Sequence, residues 1–328
     1  MTELRFERAT VRYGSRRRGT TAVTDVNLTV PDGKVVGLVG ESGSGKSTLA
    51  RAAVGLTPLA AGRILLDGQP LRTAQRAGTR RPLQMVFQDP YSSLDPRMTI
   101  GASIAEAIPR RHRQGAKARR AEVVRLLGLV GLPADRAAVY PADLSGGQRQ
   151  RVALARALAG QPDVLIADEI TSALDVSVQG TVLNLVRDLQ RRMGLSMLFI
   201  SHNLAVVRYV ADIVAVMYLG RIVEYGPAHE VLNHPQHPYT RELLAAAPGA
   251  PDAAADQTRA DGPGPAVAEP ADPHHPPAGC HFHPRCPMGP AMFGDREVCR
   301  QRTPSPEGHR HLAACHFATP LTEADPVS

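Results

Sequence analysis

The sequence contains no tryptophan, few aromatic residues and only three lysines. Of its 328 residues 4% are aromatic, and the 38 basic residues are almost all arginine, which leaves a net charge of +7. The basic residues are scattered in pairs and triplets without interleaved aromatics, so the pattern typical of nucleic-acid binding is missing. We therefore expect no nucleic-acid partner and attribute the charge to an arginine-rich composition. Attraction to a nucleotide or an acidic lipid surface is the alternative.

Long apolar runs are also missing. No stretch approaches the ~18–20 residues that a membrane-spanning helix needs. The first residues include Glu3, Arg5, Glu7 and Arg8, which do not fit a signal peptide. With 43% hydrophobic residues the chain can still bury a core. We expect an intracellular protein that is soluble or peripheral to a membrane.

Composition divides the chain into four parts. Apolar patterning is dense over residues 1–247, whereas residues 248–278 are almost entirely Ala, Pro, Gly and Asp and are predicted to be a flexible linker. Residues 279–317, called the cysteine module below, hold all four cysteines. Residues 318–328 are predicted to be a frayed tail.

Short apolar runs alternate with helical patterns in the first part. Continuous runs of this length are typical of strands buried on both faces of a sheet, and they occur at Val35–Val39, Val164–Ala167, Met197–Ile200 and Ile213–Met217. Helical spacing of apolar residues is found over residues 123–130 and 178–193. Residues 4–11 and 22–30 alternate polar and apolar, as in a half-exposed antiparallel sheet. The predicted fold is α/β, with a mainly parallel sheet flanked by helices and an N-terminal antiparallel β subdomain.

A glycine-rich segment follows the first continuous apolar run. Residues 40–48, called the phosphate loop below, read Gly-Glu-Ser-Gly-Ser-Gly-Lys-Ser-Thr and match G-x-x-x-x-G-K-[ST] between a strand and a helix. Curled backbone N–H groups and the helix N-terminus bind phosphate, the lysine reaches the β- and γ-phosphates, and the serine binds Mg²⁺. The predicted nucleotide-binding residues here are Gly40, Ser42, Gly43, Gly45, Lys46, Ser47 and Thr48.

Two carboxylates follow a second buried run. Asp168 ends the run that begins at Val164, and Glu169 comes next. Asp168 is predicted to hold Mg²⁺ together with Ser47, and Glu169 to polarise the attacking water.

A second glycine-containing loop opens a helix before these carboxylates. It reads Leu144, Ser145, Gly146, Gly147 and Gln148, and is called the signature loop below. A second anion site requires a second phosphate or a second subunit. With this motif the chain resembles the ATP-binding cassette (ABC) ATPases. The resemblance implies a helical subdomain that carries the signature loop, which closes on the nucleotide of the opposing subunit in a head-to-tail dimer.

Other motifs of the same family follow in order, and the resemblance covers about residues 3–247. It implies that Tyr13 stacks on adenine and that His202 contacts the γ-phosphate. It also implies that Gln88 is both a catalytic residue and a ligand of Mg²⁺, and that Asp175 lies in a loop that crosses the dimer. The chain departs from the family at Ile170, where proline is usual, and at Asn203, where an acidic residue is common. These departures put the turnover rate in question but not nucleotide binding.

Three further segments resemble the ATPases of oligopeptide and dipeptide importers. They are residues 88–96, 173–179 and 237–240. The resemblance implies an ATPase that uses ATP and Mg²⁺ to import peptides. It would lie at the cytoplasmic face of the membrane with a second ATPase subunit and two integral permease subunits, served by an extracytoplasmic substrate-binding protein. The alternatives are import of nickel or another small solute, an ABC ATPase outside transport, and a redox-sensing module.

The four cysteines are Cys280, Cys286, Cys299 and Cys315. An intracellular chain does not rely on disulfides, so four clustered thiols predict a metal site. Their spacings lack the close pairs of zinc ribbons, and the family resemblance implies a [4Fe-4S] cluster, with Zn²⁺ or unmetallated thiols as alternatives. The histidines at 281, 283 and 316 are alternative ligands. The module has too few apolar residues to fold alone. The long linker lets it sit away from its own cassette, against the partner ATPase or a permease.

Overall fold

The computed structural model describes residues 2–14, 19–71, 80–109, 115–247, 272, 275–306, 308 and 310–318. Most of the predicted linker lies outside these residues, as does the predicted tail except Ala318. No helix within the described ranges is long and apolar enough to cross a membrane.

The strands and helices that the sequence patterns predict are present, together with others that those patterns do not mark. The strands are β1 (Leu4–Tyr13), β2 (Thr20–Val30), β3 (Val35–Val39), β4 (Ala61–Leu66), β5 (Gln69–Pro70), β6 (Leu83–Val86), β7 (Val164–Asp168), β8 (Ser196–Ile200), β9 (Ile213–Tyr218), β10 (Arg221–Pro227) and β11 (Leu312–Ala313). The helices are α1 (Lys46–Ala53), α2 (Pro90–Ser93), α3 (Ile100–Ala107), α4 (Gly115–Leu129), α5 (Gly146–Ala159), α6 (Val176–Met193), α7 (Leu204–Val210), α8 (Ala228–Asn233), α9 (Pro238–Ala245) and α10 (Val298–Gln301).

Two sheets form the β structure. One is antiparallel, in the order β2-β1-β4-β5. The other has the order β11-β10-β9-β3-β8-β7-β6, and its strands are parallel from β9 to β6. The predicted α/β class, with a mainly parallel sheet and an N-terminal antiparallel sheet, is confirmed.

The central strands are buried on both faces. Every residue of β3, β7 and β8 is buried. Val36 and Leu38 join the core shared with the N-terminal sheet, whereas Leu165 and Ala167 join the core shared with the helices. Because alternate side chains enter two different apolar cores, the strands are apolar throughout instead of alternating.

The predicted functional loops lie at one edge of this sheet. Strands β6, β7, β8 and β3 are parallel neighbours, so their carboxyl ends meet there. Gly40 follows β3, Asp168 ends β7, Gln88 follows β6 and His202 follows β8. Ligands of open α/β sheets bind at this edge.

The cysteine module packs against its own cassette. Strand β11 of the module pairs with β10, and Phe282 is buried against Tyr218 and Tyr239 with ring centroids 5.4 and 5.6 Å apart. The expectation that the module sits away from its cassette is wrong, because the module draws its apolar core from the cassette.

Candidate active site

The phosphate loop is shaped by glycines in backbone conformations that other residues rarely adopt. Gly40 has φ +151° and Gly45 has φ +104°. A Cβ at Gly40 would lie 2.1 Å from the carbonyl oxygen of Met217, and one at Gly45 would lie 2.4 Å from that of Ala22. The loop therefore lies directly on neighbouring backbone, which only glycine permits. Gly45 precedes helix α1 without a side-chain cap, so the first N–H groups of that helix are left for a ligand.

Lys46 is buried within the loop. Its Nζ donates to the carbonyl oxygens of Gly40 and Glu41 at 2.9 and 2.7 Å and to Ser44 Oγ at 3.3 Å. Burial lowers the pKa of Lys46 below its usual value, partly offset by the charges of Glu169, Asp168 and Glu41. In a nucleotide complex, phosphate oxygens would replace the loop carbonyls as acceptors for Lys46 Nζ, and their negative charge would favour the charged amine.

Ser47 and Asp168 are brought together from α1 and β7. Ser47 Oγ donates to Asp168 Oδ1 at 3.0 Å, and Asp168 is 3% exposed. Burial raises the pKa of Asp168, while the hydrogen bond from Ser47 lowers it. A hydroxyl and a nearly dry carboxylate are oxygen ligands of the kind that Mg²⁺ binds, and the ion would favour the ionised carboxylate.

Glu169 lies between the two other predicted catalytic residues. Gln88 Nε2 donates to Glu169 Oε2 at 3.1 Å, and His202 Nδ1 lies 3.4 Å from Glu169 Oε1. The Glu169 backbone has φ +47°, which is rare for a residue with a side chain. Its N–H donates to the carbonyl oxygen of Ile200 at 3.0 Å, and its own carbonyl accepts from Ser172 Oγ at 2.9 Å. These bonds hold the strained backbone and aim the carboxylate into an open cleft that His202 also lines.

The two departures from the family pattern have structural roles. Ile170 is 1% exposed and packs in the core beside the helices, so it anchors the turn after Glu169 by burial. Asn203 caps helix α7, because its Oδ1 accepts from the N–H groups of Ala205 and Val206 at 3.0 and 3.4 Å. Asparagine is among the preferred N-cap residues.

Tyr13 is placed beside the phosphate loop. Its ring is 42% exposed, and its hydroxyl donates to Thr48 Oγ1 at 3.3 Å. An exposed ring fixed at one end offers a flat face to a base.

The signature loop is held by hydrogen bonds within its own segment. Ser145 Oγ accepts from the N–H of Gln148 at 3.3 Å, and Gln148 Oε1 accepts from the N–H of Ser145 at 3.1 Å. This capping box opens helix α5. Leu144 is buried, and a Cβ at Gly147 would lie 2.4 Å from Val178 Cγ1. Asp175 precedes helix α6 without a capping bond.

The four cysteines line one small cavity of the module, together with Arg296. Burial raises the pKa of Cys280 to about 12 and that of Cys286 to about 11, and it also raises the pKa of Cys299 and Cys315. Because burial raises their pKa, these thiols stay protonated when no metal is bound. A metal binds the thiolate, so ligation would have to displace the protons. Within the described part of the chain no group of three or more His, Cys, Asp or Glu side chains is arranged to hold a metal ion.

The histidines proposed as alternative ligands bond to backbone carbonyls. The Nδ1 of His281 lies 3.2 Å from the oxygen of Leu219, and that of His283 lies 2.9 Å from the oxygen of Cys280. The Nε2 of His316 lies 2.9 Å from the oxygen of Arg302.

Two residues at the phosphate loop were not among the predicted site residues. The hydroxyl of Tyr239 accepts the N–H of Glu41 at 2.9 Å, and Arg285 of the cysteine module pairs with the Glu41 carboxylate at 3.5 Å. The segment His237-Pro238-Tyr239-Thr240 was the available signal. In the structure His237 Nδ1 accepts from the N–H of Tyr239 at 3.1 Å and caps helix α9, which begins at Pro238.

Comparison with known proteins agrees with this geometry. Residues 23–172 match the family described as ABC transporter, and residues 223–292 match the family described as oligopeptide/dipeptide transporter, C-terminal region. The "Probable peptide ABC transporter ATP-binding protein y4tS" of Sinorhizobium fredii is 47% identical over 306 residues, which cover 92% of this chain and 84% of that protein. The "Di/tripeptide transport ATP-binding protein DppF" of Pseudomonas aeruginosa is 46% identical over 302 residues, which cover 90% of each.

Solved structures give the same fold. The cassette cbiO1 from Clostridium perfringens, described as part of the ABC transporter complex cbiONQ, superimposes with a TM-score of 0.61 at 28% identity and covers 70% of this chain and 90% of that one. The dimeric structure of MJ0796, described as a bacterial ABC transporter cassette, gives a TM-score of 0.62 at 27% identity and covers 69% of this chain and 98% of that one.

The sheet order, the phosphate loop and the carboxylates at the ends of the parallel strands define a P-loop nucleotide hydrolase. The chain belongs to the ABC transporter family, as one of its ATP-binding subunits. It is an ATPase, which implies ATP and Mg²⁺ as its cofactors.

Proposed function

We propose that this chain is the ATP-hydrolysing subunit of an importer of dipeptides or oligopeptides. The match of residues 223–292 to the C-terminal region of oligopeptide/dipeptide transporters carries the proposal. The names of the relatives at 46–47% identity support it. The chain would lie at the cytoplasmic face of the membrane beneath two integral permease subunits. A substrate-binding protein on the other side of the membrane would supply the peptide.

Each residue of the site has a role in hydrolysis under this proposal. Glu169 orients and polarises the water that attacks the γ-phosphate, and Gln88 and His202 hold its carboxylate from both sides. Lys46 and the N–H groups of the phosphate loop neutralise charge on the β- and γ-phosphates. Mg²⁺, when bound, would be held by Ser47, Asp168 and Gln88 and would neutralise phosphate charge.

Hydrolysis requires a second cassette. The signature loop is capped within its own segment and Ser145 at its N-cap is exposed, so its anion site is available to a nucleotide from another subunit. The dimer described for the MJ0796 cassette bound to ADP and Pi supports this arrangement. We propose a head-to-tail pair in which each signature loop and each Asp175 face the phosphate loop of the partner, with the partner either a second copy or a related subunit.

Reconstitution tests the transported solute. The chain, its companion ATPase and the two permeases are purified together and placed in vesicles with the substrate-binding protein. We expect a dipeptide or oligopeptide to accelerate phosphate release and to enter the vesicles with ATP, whereas Ni²⁺ alone does neither. Stimulation by Ni²⁺ without peptide would favour the small-solute alternative.

We further propose that Cys280, Cys286, Cys299 and Cys315 hold a [4Fe-4S] cluster, with Zn²⁺ as the alternative. All four thiols line one cavity. Burial raises the pKa of Cys286, Cys299 and Cys315, and the charge of Arg296 partly opposes that rise. A positive group beside the site suits four thiolates and a cluster of net negative charge. The cluster would supply covalent cross-links that stabilise a module with little core of its own.

Metal analysis of anaerobically purified chain tests the cluster. We expect about four irons and four sulfides per chain and a broad absorption band in the visible range. About one zinc per chain and no iron would replace the cluster with a zinc site. Four freely titratable thiols and no metal would refute both.

A further inference from the structure

The segment between Cys280 and Cys286 contacts the phosphate loop directly. Arg285 Nη1 lies 3.5 Å from Glu41 Oε1, and Arg285 Nη2 bonds to Glu242 of helix α9. The side chain of Arg285 is 16% exposed and that of Glu41 is 43% exposed, so the pair is shielded from water on the arginine side only. The carboxylate of Glu41 belongs to a loop that binds a polyanion, and Arg285 offsets the repulsion it would exert.

A second contact reaches the same loop residue through its backbone. The N–H of Glu41 donates to the hydroxyl of Tyr239. The ring of Tyr239 is fully buried between Tyr218 and Phe282 of the cysteine module. The position of the module therefore fixes the acceptor that orients the Glu41 peptide.

A third contact supports the other side of the loop. His281 Nδ1 bonds to the carbonyl of Leu219 in the turn between β9 and β10. The next residue, Gly220, donates its N–H to the carbonyl oxygen of Ser44 at 2.9 Å. The turn is thus held between the cysteine module and the phosphate loop.

We propose that the cysteine module positions the phosphate loop of its own cassette, with Arg285 and Tyr239 as positioning residues for ATP binding. On the module's side these contacts depend on Arg285, on Phe282, which packs against Tyr239, and on His281. All three lie between the proposed metal ligands Cys280 and Cys286. Ligation of these two thiols would restrain the segment at both ends. Nucleotide affinity then depends on metal loading and, by linkage, bound nucleotide slows metal loss. This last step rests on the proposed cluster, whereas the role of Arg285 does not.

Nucleotide titration of the full-length chain tests the contact. We expect Arg285→Ala to weaken binding of a non-hydrolysable ATP analogue with Mg²⁺ by about three- to tenfold, without changing the iron content. Arg285→Lys keeps the charge and should recover most of the affinity. Arg300→Ala, which breaks a pair with Glu297 inside the same module, should bind like wild type. Wild-type affinity in Arg285→Ala would overturn the proposal.

A double-mutant cycle separates positioning from general destabilisation. In a Glu41→Gln background the carboxylate is gone, so adding Arg285→Ala should cause little further loss of affinity. Tyr239→Phe removes the hydroxyl that accepts the Glu41 N–H and should also weaken binding. Tyr225→Phe is the matched control, because the Tyr225 hydroxyl bonds to the Thr29 carbonyl. An undiminished effect of Arg285→Ala in the Glu41→Gln background would contradict the proposed contact.

Metal removal tests the link to the cysteines. Chelation of the wild-type chain should weaken nucleotide binding at least as much as Arg285→Ala does. Chelation of Arg285→Ala should cause a smaller further loss, because only the contacts through Phe282 and His281 remain to be disturbed. Unchanged affinity after metal loss from a chain that stays folded would overturn the link. A chain purified without metal would refute the proposed cluster, while the Arg285 comparison would still decide the positioning role.

Discussion

Gln88 Nε2 donates a hydrogen bond of 3.1 Å to Glu169 Oε2 and so joins loops from two neighbouring parallel strands, β6 and β7. The carboxylate is thereby held by a side chain from outside its own loop. A movement of the loop that follows β6 would change the direction in which Glu169 points. We infer that this contact aligns Glu169 for attack on the γ-phosphate.

Removal of the Gln88 amide tests this alignment. We expect Gln88→Ala to keep ATP binding but to slow phosphate release by about ten- to hundredfold, because a misplaced catalytic group loses much of its effect. Gln190→Ala is the control, since Gln190 Nε2 bonds to the Gly33 carbonyl before the amino end of strand β3, away from the carboxylate. Near-normal hydrolysis by Gln88→Ala would show that Glu169 does not need this contact.

Ser145→Arg tests the shared site. The arginine places bulk and charge at the proposed docking site for the γ-phosphate of the partner subunit. We therefore expect ATP binding by the free chain to survive and the ATP-dependent dimer to be lost. The substitution also removes a helix cap, worth about 0.5–2 kcal/mol. Thr99→Arg removes the comparable cap of helix α3 and should still dimerise. Sedimentation with ATP and the companion subunit measures both, and a normal dimer with Ser145→Arg would refute the role of the signature loop in trans.

Substitutions at Tyr13 test whether the adenine of ATP stacks on its ring. Stacking on an aromatic ring contributes about 1–3 kcal/mol per base, so Tyr13→Ala should weaken ATP binding by about tenfold. Tyr13→Phe keeps the ring and should bind ATP nearly as well as wild type. Tyr209→Ala removes an equally exposed ring that stacks on Arg187 and should have no effect. If Tyr13→Phe loses as much affinity as Tyr13→Ala, the hydroxyl bond to Thr48 matters and not the ring face.

His237 predicts how stability depends on pH. Burial lowers its pKa to about 4, from an ordinary value of 6.5. The unfolded chain therefore binds a proton that the folded chain does not, and stability is lost as the pH falls from 6.5 towards 4, by at most about 3 kcal/mol. His237→Asn retains a capping oxygen for helix α9 but does not titrate. Denaturant unfolding should show a weaker pH dependence for this variant, and equal slopes in the two proteins would contradict a neutral buried His237.

The central strands and the loops at their ends could be predicted because both are local in sequence. A strand buried on two faces needs a continuous apolar run, and Val35–Val39 is such a strand. Glycines in the phosphate loop are required by positive φ and by backbone contacts of the kind that Gly40 makes with Met217. These requirements leave a pattern that one stretch of sequence carries by itself.

The position of the cysteine module could not be predicted in this way. It depends on the contact of Phe282 with Tyr218 and Tyr239, and on strand pairing between β10 and β11. These contacts join residues that are far apart in the sequence, so no local periodicity indicates them. The linker composition of the residues between them favours a module that is separate from the cassette. The hydrogen bond between Tyr239 and Glu41 could not be predicted for the same reason. The motif at residues 237–240 indicates that the segment matters but not which residue it contacts.

The most direct test of the account is phosphate release by Glu169→Gln in the complex assembled with the companion ATPase and the permeases. The amide keeps the shape of the side chain but cannot polarise water as a carboxylate does. We predict that the variant binds ATP as tightly as wild type, accumulates as an ATP-bound dimer and releases almost no phosphate. Hydrolysis at near the wild-type rate would contradict the assignment of Glu169 and the catalytic site built around it.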